Sequence, residues 1–234
     1  MERKKGRSFD SKGNIRFEGY YLNRYKWKGK DYNNYGKIIF EGEYWDKNER
    51  WKGKEYDFIG NIIFDGEYQN GNRWKGIIKD YDFPNGNIKF ECEFLNGKKN
   101  WKGKEFDTKG NIIFEGEYKE GKRNGKGKEF DSKGNLIFEG EYINGNRNGE
   151  GTAFNNNQRI IFKGEYIEDK KYNGIEYYYN KNYQFIREYK NGEKSKKMIM
   201  REYFKHELRF EGEYQNGKNN GKGKEYFKNK LIFE

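Results

Sequence analysis

Valine is absent from this 234-residue chain, and alanine, cysteine, histidine and proline occur once each. Each scarcity excludes something. With no valine, one alanine (Ala153) and only 32% of residues hydrophobic, the chain lacks the material for a thick aliphatic core. A single cysteine, Cys92, excludes an internal disulfide framework, and Cys92 with His206 is too little for a structural zinc site. A nucleophilic triad with a histidine base would have to turn on His206. No apolar run approaches the roughly 20 residues of a membrane-spanning helix. The opening residues, Met1-Glu2-Arg3-Lys4-Lys5-Gly6, carry neither the apolar stretch of a signal peptide nor the second-position glycine of a myristoylation site. A cytoplasmic location is the expectation.

What the chain does have is aromatic and charged. Phe, Tyr and Trp make up 19% of it, charged residues 37%, and 31 positions are glycine. That is too much ring for simple disorder, so order is expected from a thin layer of aromatic packing.

Self-comparison gives the organisation. Phe17-Glu18-Gly19-Tyr20-Tyr21 returns as Phe40-Glu41-Gly42-Glu43-Tyr44, as Phe64-Asp65-Gly66-Glu67-Tyr68 and as Phe90-Glu91-Cys92-Glu93-Phe94. It starts again at Phe114, Phe138, Phe162, Phe185 and Phe210, and opens once more at Phe233. Between copies lies a second element, such as Trp51-Lys52-Gly53-Lys54-Glu55-Tyr56 or Gly125-Lys126-Gly127-Lys128-Glu129-Phe130. In Ile112 to Tyr118 the side chains alternate with period two, the signature of a half-buried strand. The connectors are turn-formers: Asn96-Gly97, Asn144-Gly145, Asn191-Gly192 and Asn216-Gly217 on one side, Lys109-Gly110-Asn111 and Lys133-Gly134-Asn135 on the other. A strand glycine leaves room for a ring to lie over the backbone. The expected fold is all-β: an elongated single-layer antiparallel β-meander of about nine stacked β-hairpin repeats, one array over 1–234 with a period of about 24 residues.

Gly-x-Gly-x-Glu-aromatic, Asp-x-x-Gly-Asn, Phe-Glu-Gly-Glu-Tyr and Asn-Gly-Lys together resemble the MORN repeat. The aromatic falls three residues after the second glycine (Gly103 to Phe106, Gly127 to Phe130, Gly223 to Tyr226). That spacing is similar to the variant repeats of antitoxin-like and protist proteins. The resemblance implies hairpin ribbons that serve as scaffolds, dimerise and contact membranes or phosphoinositides. It brings no catalytic residues and no cofactor.

The copies differ in ways that point to surfaces. Trp27, Trp51, Trp74 and Trp101 recur at one repeat position, where later copies have Gly125, Gly149, Tyr172 and Gly221. Four such rings either pack on each other or form a strip that binds a partner. Strand glutamates such as Glu41 and Glu43 stand to face strand lysines such as Lys52 and Lys54, a ladder that cancels in the far field. The loops after the Phe-Glu-Gly-Glu-Tyr strand hold the basic excess behind the net charge of +11. Lys98, Lys99, Lys122, Arg123, Arg147, Lys170, Lys171, Lys194, Lys196 and Lys197 form a candidate basic rim suited to anionic phospholipid, whereas nucleic acid is not expected. The copy near 180–205 is degenerate, lacking its strand glycine at Arg187. It is either a tolerated variant or a bend. Open strands at the array ends suggest homo-oligomerisation.

Asp80-Tyr81-Asp82-Phe83-Pro84-Asn85-Gly86 misplaces the glycine of a calcium loop and inserts a proline, so it reads as a turn. The carboxylates are periodic rather than convergent. The chain is expected to be a non-enzymatic scaffold for protein partners, docking through its basic edge on an anionic membrane and so cytoplasmic, at the membrane periphery or on the cytoskeleton. The alternative is an antitoxin-like, inhibitory protein-binding module.

Overall fold

The computed structural model describes residues 2–45, 48–82, 85–95 and 98–234, and of residues 94 and 98–101 the backbone alone. It is all-β, with no helix among the described residues. The chain divides into two compact units, Met1–Lys122 and Arg123–Glu234.

The first unit contains ten strands: β1 (Arg3–Phe9), β2 (Ile15–Leu22), β3 (Tyr25–Tyr32), β4 (Ile38–Trp45), β5 (Glu49–Tyr56), β6 (Ile62–Gln69), β7 (Asn72–Tyr81), β8 (Ile88–Leu95), β9 (Lys98–Phe106) and β10 (Ile112–Lys119). Each pairs antiparallel with its chain neighbour, the meander that the repeat implies. The second unit repeats the plan with β11 (Lys122–Phe130), β12 (Leu136–Ile143), β13 (Asn146–Phe154), β14 (Ile160–Ile167), β15 (Lys170–Asn180), β16 (Tyr183–Lys190), β17 (Glu193–Phe204), β18 (Glu207–Gln215), β19 (Lys218–Phe227) and β20 (Lys230–Phe233).

The register places glycine opposite glycine: Gly19 faces Gly29, Gly29 faces Gly42, Gly42 faces Gly53 and Gly53 faces Gly66. A phenylalanine two residues earlier covers each pair. A Cβ on Gly42 would lie 2.2 Å from the Lys52 carbonyl oxygen, 2.6 Å from Gly53 Cα and 2.7 Å from Phe40 Cζ. Only hydrogen fits there, and the space a side chain would take goes to the ring. Phe17, Phe40, Phe64, Phe114, Phe138 and Phe162 are all fully buried. Tyrosines four residues further on meet them edge-to-face. Tyr44 lies 5.6 Å from Phe17 and 5.4 Å from Phe40, and Tyr68 lies 5.7 Å from Phe40 and 5.3 Å from Phe64. In the second unit Tyr166 bridges Phe138 and Phe162 in the same way, at 5.2 and 5.1 Å. The core of each unit is therefore an alternating Phe–Tyr ladder on one face of its strands.

The two kinds of connector are built differently. After the Phe-Glu-Gly-Glu-Tyr strand come two-residue turns with both residues left-handed, as at Asn144 and Gly145 (φ 53° and 103°) or Asn70 and Gly71 (52° and 73°). These are the turns whose twist matches the flanking strands. On the other side, Asp107 Oδ1 accepts the backbone N–H of Lys109 and Asn111 at 2.8 and 2.9 Å, and its Oδ2 accepts from the Asn111 side chain at 3.0 Å. Asp10, Asp57 and Asp131 repeat this arrangement.

Through the degenerate copy, β15 to β18 pair without interruption. Three strands there and earlier are long: β7 has 10 residues, β15 has 11 and β17 has 12. Their additional residues displace the glycine column by two. Gly174 faces Gly164 on one side and Tyr189 on the other, so Arg187 falls between Glu176 and Met198, where no glycine pair is needed.

Candidate interaction surfaces

Behind the aromatic ladder lies a charged arrangement that composition alone does not display. The glutamate of Gly-x-Gly-x-Glu-aromatic points to the phenylalanine face, because it stands two residues after the glycine. Glu55 there accepts a hydrogen bond from the Tyr68 hydroxyl (2.9 Å), from Arg50 Nη1 (3.3 Å) and from Arg73 Nε (3.1 Å). The two guanidinium groups lie over Phe40 and Phe64, 4.4 and 5.0 Å from the ring centres. Asp31 takes the same place one repeat earlier, accepting from Tyr44 at 2.8 Å and Lys26 at 2.6 Å. In the second unit Glu129 accepts from Tyr142 at 2.7 Å and is held bidentately by Arg147 at 2.9 and 2.6 Å. Glu176 receives Lys171 and the Tyr178 hydroxyl and is the one buried charged side chain among the described residues.

Burial by itself would raise the Glu129 carboxyl, but the hydrogen bonds from Arg147 and Tyr142 outweigh it and hold the group below its usual 4.5. Glu176 behaves alike, with Lys171 and Tyr178 outweighing burial. The tyrosines move the other way. Burial, then the neighbouring carboxylate, pushes Tyr44 and Tyr68 far up; for Tyr142 the hydrogen bond to Glu129 follows burial.

This arrangement decides what the basic rim presents. Arg123 and Arg147 lie against Glu129, and Lys171 and Lys194 against Glu176. Lys122, Lys170, Lys196 and Lys197 are exposed, with Lys197 no nearer than 4.0 Å to Glu213. The side chains of Lys98 and Lys99 lie outside the described residues.

The opposite face carries the charge ladder. Lys28 stands opposite Glu43, Lys30 opposite Glu41, Lys52 opposite Glu67 and Lys54 opposite Asp65. Three of these pairs close to 3.2, 3.5 and 3.8 Å. Trp27, Trp51 and Trp74 line its loop edge, and each occupies the extra residue of a β-bulge. Tyr20 and Tyr21 face Lys28 and Lys26, leaving Trp27 unpaired in the register, and Trp51 and Trp74 stand likewise. Trp27 packs on Tyr20 and under Arg3, whose guanidinium carbon is 3.9 Å from its ring centre. Trp51 meets Trp45 at 5.8 Å, and both remain largely exposed. Trp74 is 38% exposed. The three rings thus do not pack on one another. The side chain of Trp101 lies outside the described residues. In the second unit the bulge position passes to Gly149 and Gly221, both at φ 103°, and to Tyr172.

Among the described residues no group of His, Cys, Asp and Glu could hold a metal ion. Asp82 accepts the Asn87 backbone N–H, while Phe83 and Pro84 lie outside the described residues. The sequence reading missed the carboxylate clusters. Their signal was present as a fixed offset, an acid thirteen residues before Tyr44, Tyr68, Tyr118 and Tyr142.

Fold and surfaces together define a β-hairpin repeat protein whose differences between copies lie at bulges and loops. The MORN repeat model matches residues 114–136, 138–159 and 210–231, and the all-β meander is consistent with a MORN repeat protein. MORN repeats are generally non-catalytic modules that mediate protein or membrane-lipid interactions. A search of curated proteins returned no match.

Proposed function

We propose that this protein is a non-enzymatic scaffold whose contact with protein partners runs along the tryptophan edge of the 1–122 unit. The observation that carries the reading is the exposed Trp45–Trp51 pair with Trp74 beyond it. Large rings at bulges of a rigid sheet cost little entropy to immobilise and supply the apolar anchors of an interface. The intervening Lys–Glu ladder would form its polar surround. An antitoxin-like, inhibitory use of the same strip is the second reading, and it requires one tight equimolar partner. The exposed lysines of the loop edge support docking on anionic membrane, and a cytoplasmic location at the membrane periphery or on the cytoskeleton is proposed with it. Outer strands β1 and β20, each paired on one side, offer a route to self-association.

Cross-linking in native cells with the wild type and with a Trp45→Ser/Trp51→Ser/Trp74→Ser variant tests the reading. Adducts made by the wild type and lost in a variant with an unchanged circular dichroism spectrum are expected. Identical adducts from both proteins would move the contact elsewhere.

A further inference from the structure

One repeat keeps the tyrosine of the carboxylate cluster and lacks the carboxylate. Ala153 stands opposite both Phe138 and Phe162, as Glu55 stands opposite Phe40 and Phe64. The other members are all present. Tyr166 bridges the two rings as Tyr68 does, Arg147 lies 4.2 Å over Phe138 as Arg50 lies over Phe40, and Lys171 lies 5.0 Å over Phe162 as Arg73 lies over Phe64. Tyr166 is 2% exposed, and its hydroxyl is one of two buried side-chain polar atoms among the described residues that have no hydrogen-bond partner. A buried hydroxyl without a partner is costly and is a mark of a site for something polar. Burial raises the Tyr166 hydroxyl to about 12.

Two cations flank the place, Arg147 over Phe138 and Lys171 over Phe162, each also paired with a carboxylate, Glu129 and Glu176. Arg147 and Lys171 are 26% and 28% exposed, which leaves the place within reach of solvent.

We infer that the place beside Ala153 that a glutamate side chain takes in the other repeats, next to Tyr166, Arg147 and Lys171, binds a small monocarboxylate, which accepts a hydrogen bond from the Tyr166 hydroxyl and lies between the two cations. Acetate is the natural probe, because the atoms that distinguish a glutamate from Ala153 beyond Cβ are those of acetate. Binding involves no covalent step.

The test is thermal unfolding of the full chain in sodium acetate against sodium chloride at equal ionic strength. The wild type should melt higher in acetate, with the gain growing with concentration and saturating. Ala153→Glu, which supplies the carboxylate from the chain, should melt higher in chloride and show no acetate-specific gain. Tyr166→Phe, which removes the donor, should also lose the gain. Equal melting of the wild type in the two salts would overturn the inference, as would an acetate gain that persists in Ala153→Glu.

Discussion

Glu129 shows how much one side chain carries in a fold this thin. Its carboxylate serves a buried tyrosine and a guanidinium that itself covers Phe138, so it links the polar and aromatic parts of the core. Replacing it with alanine would leave the Tyr142 hydroxyl and Arg147 without their acceptor. Glu129→Ala should cost about 2–4 kcal/mol in urea unfolding. The pH dependence has a definite sign. Because the folded carboxyl lies below its usual 4.5, its contribution is complete above that value and is lost as pH falls through the folded value. Below pH 4.5 the gap between wild type and Glu129→Ala should therefore narrow. A gap constant from pH 7 to pH 3 would show that this carboxylate does not act through its charge. The glycines are the complement at this scale. Gly42 and Gly53 matter for what they leave out, and the ring of Phe40 is what enters.

Among elements, the hairpin turns vary most freely. Most of the described ones use two left-handed residues, yet only some use Asn-Gly. Glu168 and Asp169 sit at φ 47° and 66° without glycine to relieve them. Asp169 has a compensating role, since its Oδ1 accepts the Arg147 backbone N–H at 2.8 Å. Glu168 has no such bond, and asparagine tolerates the left-handed region better. Glu168→Asn should stabilise the protein by about 0.5–1 kcal/mol, read as a higher urea midpoint at unchanged slope. The turn residues and the alternation of strand residues were legible in the sequence, because both are local. The two-residue displacement of the glycine column at β7 and β15 was not. The sequence shows longer intervals there, but which strand absorbs them depends on both of its neighbours. The bulges were hidden for the same reason. Trp51 and Gly149 could be aligned as equivalent positions, but that neither is paired with the strand before it is a property of pairing.

At the scale of the whole molecule, the count of basic residues overstates the basic surface. The 49 lysines and arginines include Lys26, Arg50, Arg73, Arg123, Arg147 and Lys171, all of which turn inward to carboxylates. What remains at the loop edge of the second unit is chiefly Lys170, Lys196 and Lys197. A surface lysine near an anionic bilayer contributes about 1 kcal/mol, so three give a modest, salt-sensitive attraction. Co-sedimentation with phosphatidylserine vesicles at low salt should be reduced at least tenfold in Lys170→Glu/Lys196→Glu/Lys197→Glu and should vanish in half-molar salt. Undiminished sedimentation of that variant would remove the loop edge from membrane docking. These three positions are the right ones to change, because reversing Arg147 would break a cluster rather than a surface.

The sequence by itself determined the repeat, its period, the strand and turn chemistry and the all-β meander. Each of these follows from residues within one 24-residue unit obeying local rules of alternation, twist and steric fit. Only the tertiary structure decided which charges are free. Whether Arg147 is a membrane contact or an internal counterion depends on the distance to Glu129, a residue on a strand two away in the meander. It also took the structure to show that Tyr166 lacks the partner that Tyr44, Tyr68, Tyr118 and Tyr142 possess. The sequence contains Ala153 in plain view, but alanine becomes a missing carboxylate only once Tyr166, Arg147 and Lys171 are brought around it.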